Sequence, residues 1–330
     1  MKMIKERNSN IELMRIVSML MILNLHSMSG PSINDSFVWQ TFDFFRESVS
    51  ICAIHLFVLA SGYFGIKWKM KSFSSLLFQI LFYFWIIIGV CSLLSIGKPI
   101  EASGWQLAVM PFTQGWWFVT SYLLLYMIAP LLNYINGKLP LYGRVMFVLA
   151  VYVISIKFDY KNIELFASLY LTGSVLKTMR EMIVYKFLFD INLNRIGYWV
   201  LTSLIASICL YLFALGIMDV TTIKGKLVGW SYSNPLIMLQ SVCLFNIFND
   251  LDIRNSWINK AAISVLAVYL IHMHPCIKEY YYSFAKSLYE MSHIMHIAIL
   301  LIFLPTCLVI CLLVDRMRIF VFDKMYDMFN

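Results

Sequence analysis

The sequence predicts an all-α protein, a polytopic helical bundle in a membrane with about 10 transmembrane helices. Three observations carry this prediction: 61% of the 330 residues are hydrophobic, only 13% are charged, and the apolar residues form long continuous runs. A soluble domain is about half apolar and about a quarter charged, so this chain has too little charge to solvate a soluble surface. The composition therefore excludes a soluble enzyme, a disordered chain and a coiled-coil rod. The continuous runs argue against a transmembrane β-barrel.

About 20 apolar residues cross a hydrocarbon core of about 30 Å. This length predicts ten spans along the chain, at 11–30, 46–65, 73–96, 115–135, 142–157, 162–179, 198–218, 234–250, 257–276 and 294–314. We interpret the mixed run 180–197 as a cytoplasmic amphipathic segment. No linker, repeat or loop of domain size interrupts the spans. We therefore expect residues 1–330 to form a single integral-membrane domain with no appended extracytoplasmic domain.

The distribution of positive charge predicts the orientation. With the N-terminus inside, the inner segments hold roughly twice as many Lys and Arg residues as the outer segments. Both termini are therefore expected to be cytoplasmic. The same bias explains the net charge of +8, so we expect the lipid bilayer, and not nucleic acid, as the partner of this charge.

The cysteine and histidine residues give no metal-site pattern. The seven cysteines are scattered through apolar runs without a CxxC pair. His272 and His274 are two residues apart, so they do not share a helix face, and no third ligand is evident. We expect no metal site and no tightly bound cofactor.

The first span contains three ionisable residues on one helical stripe: Glu12, Arg15 and His26. Ionisable groups within a span are costly and are therefore candidates for function. Arg15 could bind a phosphate or carboxylate near the inner face, with Glu12 orienting it. His26, about 16 Å further along the helix, could act as a general base or an acyl carrier. Alternatively, Glu12 and Arg15 form a structural ion pair and His26 is an interface histidine.

Two further clusters allow a functional and a structural interpretation. Ser61-Gly62 would permit close helix approach. Three lysines follow it, either as membrane anchors or as contacts to the phosphates of a cytoplasmic donor: Lys67, Lys69 and Lys71. Aromatic residues at the start of the fourth span form an interfacial belt or stack on sugar rings: Trp116, Trp117, Tyr122 and Tyr126.

In this order, the clusters resemble the membrane acyltransferase-3 family, whose small bacterial members O-acetylate capsular, exopolysaccharide or lipid-linked glycans. The resemblance covers nearly the whole chain. Its motifs here are Arg7–Arg15 with His26, Leu56–Phe64, Trp117–Tyr122 with Tyr126, Asn234-Pro235-Leu236 and Tyr269–His272. Each motif alone is weak, but the ordered set is specific.

The resemblance implies that Arg15 and His26 are required for transfer and that acetyl-CoA or another acyl-CoA is the co-substrate. With it, we expect Arg15, Ser61 and the three lysines to bind the donor. The aromatic residues and His272 would contact a polysaccharide or lipid-linked glycan in the bacterial cell membrane. Two departures matter: His55 stands where the family often has Asp or Asn, and Tyr122 where many members have Glu.

Two other functions remain open at this point. A transporter or flippase for a lipid-linked sugar would use the same aromatic and cationic residues without chemistry, although no repeated halves are evident. A membrane scaffold or immunity protein would tolerate loss of Glu12, Arg15 and His26.

Overall fold

The computed structural model describes residues 7–28, 37–97, 104–157, 163–182, 192–216 and 222–329. Every regular element within these ranges is helical, which confirms the predicted all-α class. Of the predicted amphipathic segment 180–197, residues 183–191 lie outside the described ranges.

The α-helices of these ranges follow one another as α1 Ser9–His26, α2 Phe37–Ser50, α3 Ala53–Phe64, α4 Met70–Leu93, α5 Trp105–Met110, α6 Trp117–Lys138, α7 Leu141–Lys157, α8 Ile163–Glu181, α9 Asn192–Gly216, α10 Ile223–Val228, α11 Pro235–Asn249, α12 Ser256–Ala262, α13 Val265–His272, α14 Lys278–Ser287 and α15 His293–Phe329. A π-helical turn at Pro111–Gly115 precedes α6, and a 3₁₀ turn at Leu288–Glu290 precedes α15.

Within the described ranges, four helical segments are long and apolar enough to cross a membrane: Thr41–Phe64, Met70–Leu93, Trp117–Lys138 and His293–Phe320. The Met70–Leu93 and His293–Phe320 helices leave most of their apolar surface unburied by protein, as lipid-facing helices do. Shorter apolar helices lie on three more predicted spans. The chain is therefore a helical membrane protein. The number of ten spans and the cytoplasmic location of the termini stay predictions.

The chain divides into two compact units. Unit 1 comprises Met1–Asn34, Ser74–Trp116 and Arg254–Asn330, and unit 2 comprises Asp35–Phe73 and Trp117–Ile253. Unit 1 contains α1 and the helices from α12 to α15, whereas unit 2 contains α3, α6 and α8.

In unit 1, α1 runs parallel to the α12–α13 segment. At the start of α1, the Ser9 hydroxyl accepts a hydrogen bond from the Asn255 backbone N–H at 3.0 Å. At its end, the His26 and His272 rings are joined at 2.9 Å. Both pairs are separated by 246 residues in the sequence, so the two segments stay in register over their length.

In unit 2, α3 and α8 cross at glycines. A Cβ atom on Gly62 would lie 1.9 Å from the Tyr170 carbonyl oxygen, and one on Gly173 would lie 2.2 Å from the Leu59 carbonyl oxygen. Only hydrogen fits at either position, so the backbones are in contact. The close helix approach expected at Ser61-Gly62 is confirmed.

Candidate functional site

The N-terminal end of α1 carries one buried carboxylate between two arginines. Glu12 accepts hydrogen bonds from Arg15 Nη1 at 3.2 and 3.3 Å, and from Arg7 Nη1 at 3.4 Å. Glu12 is buried, whereas the side chains of Arg7 and Arg15 keep 47% and 32% of their surface exposed. The carboxylate lies in the first turn of the helix, where a negative charge is favourable. The cluster carries a net positive charge with accessible guanidinium groups, which suits an anionic ligand.

The C-terminal end of α1 carries a histidine pair. His26 Nδ1 lies 2.9 Å from Nε2 of His272, which is the last residue of α13. His272 is 2% exposed, and its Nδ1 lies 2.5 Å from the Val268 carbonyl oxygen. His26 is only half-buried and therefore more accessible than its partner.

The contacts of this pair define which nitrogen carries each proton. A carbonyl oxygen only accepts, so His272 Nδ1 must donate to Val268. When both rings are neutral, His272 Nε2 then has no proton and must accept one from His26 Nδ1. The remaining nitrogen, His26 Nε2, carries an unprotonated lone pair. Within the described part of the chain, no hydrogen bond occupies that nitrogen.

Helix α14 holds the last turn of α1 in place. The Tyr281 hydroxyl donates to the Leu23 carbonyl oxygen at 2.7 Å, one turn before His26. The Tyr281 ring also lies 5.3 Å from the His272 ring, measured between centroids. Tyr269 packs at 6.3 Å from His26 and 6.0 Å from His272. Two tyrosine rings therefore flank the pair, and a hydrogen bond from Tyr281 fixes the helix that carries His26.

A cavity of about 380 Å³ opens beside this end of α1. It is lined by Met28, two residues beyond His26, and by four residues of α14: Glu279, Tyr282, Ser283 and Lys286. Burial raises the pKa of Tyr282 and the Glu279 carboxylate adds to this effect, so the phenol stays protonated, and its O–H donates to Met273 Sδ at 3.5 Å. A carboxylate, an ammonium group and two hydroxyls are chemically suited to a polyhydroxylated ligand.

The three predicted lysines lie at the connection between α3 and α4 in unit 2, which hydrogen bonds hold in place. Lys67, Lys69 and Lys71 are exposed, and they stand between or beside α3 and α4. The Ile66 backbone N–H donates to the Tyr170 hydroxyl at 2.8 Å, and its carbonyl accepts from Asn133 at 2.9 Å. The connection is therefore held rigidly while its ammonium groups remain accessible.

Ser61 and Tyr122, predicted for donor and acceptor respectively, are brought together in unit 2. Their hydroxyl oxygens are 3.0 Å apart, and Ser61 Oγ also donates to the Phe57 carbonyl oxygen. Tyr126 lies with the lysine connection, because its hydroxyl donates to the Lys67 carbonyl oxygen at 3.4 Å and its ring packs on Trp68. This places Tyr126 among the predicted donor residues.

The two tryptophans of the predicted acceptor cluster separate into different units. Trp116 is 1% exposed and packs edge-on against Phe84 and His274 in unit 1, so its faces are covered by protein. Trp117 is partly exposed in unit 2, where its ring lies 5.6 Å from that of Tyr232. Of these two rings, Trp117 is the one whose surface remains accessible.

Sequence reasoning missed several contacts of this site. It gave no role to Arg7, although Arg7 shares the Glu12 carboxylate, and it assigned His272 to the acceptor without pairing it with His26. The cavity residues of α14 were also missed. The sequence did show ionisable residues near the ends of two apolar segments, such as His26 in the first and His272 in the ninth predicted span. A single sequence does not reveal which segments are neighbours.

Together, the fold and these contacts define a helical membrane protein with a cationic cluster and a histidine pair at opposite ends of one helix. A family model described as an acyltransferase domain, acyltransferase-3, matches residues 8–316. The chain therefore belongs to the acyltransferase-3 family and is a membrane acyltransferase. No curated protein and no solved structure matches it at a significant level.

Proposed function

We propose that the protein transfers an acetyl group from acetyl-CoA to a hydroxyl of a cell-surface or lipid-linked polysaccharide, with His26 as the reacting base or acyl carrier. The reaction would take place in the bacterial cytoplasmic membrane, with the donor entering from the cytoplasm. The observation that carries the proposal is the bond of His26 Nδ1 to His272, which leaves Nε2 of the half-buried His26 unprotonated and available for chemistry when both rings are neutral.

The donor end of the proposed site is the Arg7–Glu12–Arg15 cluster. CoA carries phosphates, and guanidinium groups bind phosphate oxygens in a bidentate manner. Glu12 contacts Arg15 through both of its oxygens, which fixes the direction of that guanidinium group. With phosphates held there, the pantetheine arm would follow α1 and bring the thioester toward His26, about 16 Å away along the helix. The accessible lysines of unit 2 stay a separate prediction of phosphate contacts, made from the sequence.

The acceptor end of the proposed site is the cavity beyond the C-terminal end of α1, which Met28 lines two residues after His26. Its Lys286 ammonium group supplies a donor for sugar hydroxyls, and the Glu279 carboxylate and the Tyr282 oxygen, whose proton is donated to Met273 Sδ, supply acceptors. The cavity lies beyond the C-terminal end of α1, opposite the arginine cluster, which supports access of donor and acceptor from two sides. Independently of this cavity, Trp117 of unit 2 has an accessible ring and is a predicted stacking residue for a sugar.

The proposed reaction can follow either of two routes, and atoms and protons balance in both. In the first, His26 Nε2 takes the proton of the sugar hydroxyl while the oxygen attacks the thioester carbon. The C–S bond breaks, and the CoA thiolate recovers that proton as a thiol. In the second, His26 Nε2 attacks the thioester carbon and the C–S bond breaks to leave the CoA thiolate. The sugar oxygen then attacks the acetyl carbon, the bond from that carbon to His26 Nε2 breaks, and the hydroxyl proton passes to the thiolate. Both routes give one O-acetyl ester and one CoA thiol.

The first experiment measures O-acetyl groups on cell-surface glycans by NMR in a deletion strain. The strain carries wild-type protein, His26→Gln or the control His293→Ala at matched membrane levels. We expect acetyl signals with wild type and the control, because His293 is an exposed residue at the start of α15 and is not a member of the pair, and none with His26→Gln. Full acetylation by a folded His26→Gln protein would refute the role of His26.

A second measurement separates an enzyme from a transporter. Purified protein in liposomes is given acetyl-CoA and an extract of lipid-linked glycans, and free CoA is measured with a thiol reagent. An acyltransferase releases CoA in proportion to the ester formed. Movement of the glycan across the bilayer without release of CoA would instead support the flippase hypothesis.

A further inference from the structure

We propose that His272 is the positioning residue of the acyl transfer: it keeps the proton of His26 on Nδ1 and shares the second proton when His26 Nε2 becomes protonated. This inference rests on the proposed function, because it assumes that His26 Nε2 is the reacting atom. It assigns to His272 a role in proton transfer in place of the predicted contact with the acceptor.

The geometry of the pair supports a chain of hydrogen bonds with one direction. Val268 accepts from His272 Nδ1, and His272 Nε2 accepts from His26 Nδ1. Without His272, the proton of a neutral His26 could reside on either nitrogen, and the tautomer protonated at Nε2 is unable to act as a base there. The buried partner therefore selects the reactive tautomer of the accessible one.

The same chain accommodates the proton released in the reaction. When the sugar hydroxyl gives its proton to His26 Nε2, the Nδ1 proton can move to His272 Nε2, and the positive charge is shared by the two rings. His272 Nδ1 keeps its proton because a carbonyl oxygen is not a base, so the chain ends at His272. When the thiolate leaves, both shifts reverse and CoA takes the proton.

His274 provides a natural contrast two residues along the chain. Its Nδ1 accepts from the Cys276 backbone N–H and its Nε2 contacts the Phe84 carbonyl oxygen, both at 3.2 Å. Both nitrogens of His274 are therefore engaged by the backbone, and this histidine has a structural role. It is as buried as His272, which makes it a matched control.

The test compares His272→Gln, His272→Asn and His274→Asn in liposomes, with kcat and KM measured for acetyl-CoA. A glutamine amide reaches the position of Nε2, so its oxygen can hold the Nδ1 proton of His26 but is unable to take it. An asparagine amide reaches only the position of Nδ1 and leaves His26 without an acceptor. We expect kcat to fall about tenfold for His272→Gln and at least about a hundredfold for His272→Asn. KM for acetyl-CoA should not change.

Each outcome is decisive. Wild-type kcat in a folded His272→Asn protein overturns the inference while the proposed function stands, provided that His26→Gln remains inactive. An equal fall of kcat in His274→Asn and His272→Asn also overturns it, because the effect would then reflect packing. If wild-type protein transfers no acyl group, the proposed function itself fails.

A further measurement does not depend on activity and therefore tests the inference even when no acyl transfer is detected. Protein labelled with ¹⁵N-histidine distinguishes the two neutral tautomers by nitrogen chemical shift, and a His26→Gln sample assigns the His26 signals. We expect His26 to be protonated at Nδ1 in wild type and to show mixed tautomers in His272→Asn. Mixed tautomers in wild-type protein would contradict the inference.

Discussion

The Gly62–Gly173 crossing of unit 2 predicts a large effect from one methyl group. In Gly62→Ala, the new Cβ would lie 1.9 Å from the Tyr170 carbonyl oxygen, whereas ordinary contacts begin near 3.4 Å. Helices α3 and α8 must therefore move apart by roughly 1.5 Å. The obstacle is backbone, so no side-chain rotation relieves it.

The cost has two parts. Overpacking of a tight interface costs about 1–3 kcal/mol, and a backbone obstacle places this substitution near the upper end. The movement also strains the bond from the Ile66 N–H to the Tyr170 hydroxyl, which contributes about 1 kcal/mol. A total of about 4 kcal/mol, with an unfolding entropy of about 2 cal/mol/K per residue, lowers the thermal midpoint by about 6 °C.

Gly89→Ala is the matched control, since Gly89 lies in α4 and nothing would approach its Cβ within 4 Å. Both variants are purified in the same detergent, and their thermal midpoints are measured from tryptophan fluorescence. We expect Gly89→Ala to equal or exceed wild type because alanine is the better helix former. If Gly62→Ala has the same thermal midpoint as Gly89→Ala, the backbone contact between α3 and α8 is wrong.

Three further substitutions test the ends of α1. Arg15→Lys should raise KM for acetyl-CoA about tenfold, because an ammonium group lacks the planar geometry with which the guanidinium group contacts Glu12 and phosphate. An unchanged KM would argue against donor binding by Arg15. Tyr281→Phe should reduce kcat a few-fold and lower the free energy of unfolding by about 1 kcal/mol. The loss of stability is small because the Leu23 carbonyl oxygen still accepts from the Ser27 N–H. Lys286→Ala should raise KM for the glycan and leave KM for acetyl-CoA unchanged, and the reverse pattern would place the acceptor elsewhere.

The positions of the helices were largely predictable from the sequence. Apolar runs of membrane length identify α4, α6 and α15 directly, because the bilayer core imposes a minimum length on a continuous helix. The predicted span 46–65 is interrupted near Ile51-Cys52, where α2 ends and α3 begins. Such an irregularity leaves no hydropathy signal, since the apolar residues continue through it.

The partners within the site were not predictable from one sequence. Glu12 and Arg15 are three residues apart on one helix, so helical periodicity was enough to place them together. His26 and His272 are 246 residues apart, and nothing in their local sequence specifies that contact. The interpretation of Tyr126 as an acceptor residue came from its neighbours in the motif, whereas its hydroxyl reaches the Lys67 carbonyl.

The pairing in unit 1 also constrains the topology of the whole chain. Contacts at both ends, Ser9 with Asn255 and His26 with His272, make α1 and the α12–α13 segment parallel. For two parallel segments both to cross a bilayer, the chain between them must cross it an odd number of times. The sequence predicts seven spans between them, which is an odd number and is compatible with this requirement. With both segments crossing the bilayer, as the sequence predicts, the parallel arrangement puts the arginine cluster on the side where both segments begin, and the histidine pair toward the other side. A donor bound by its phosphates and an acceptor hydroxyl would therefore meet along α1 without either having to cross the bilayer completely.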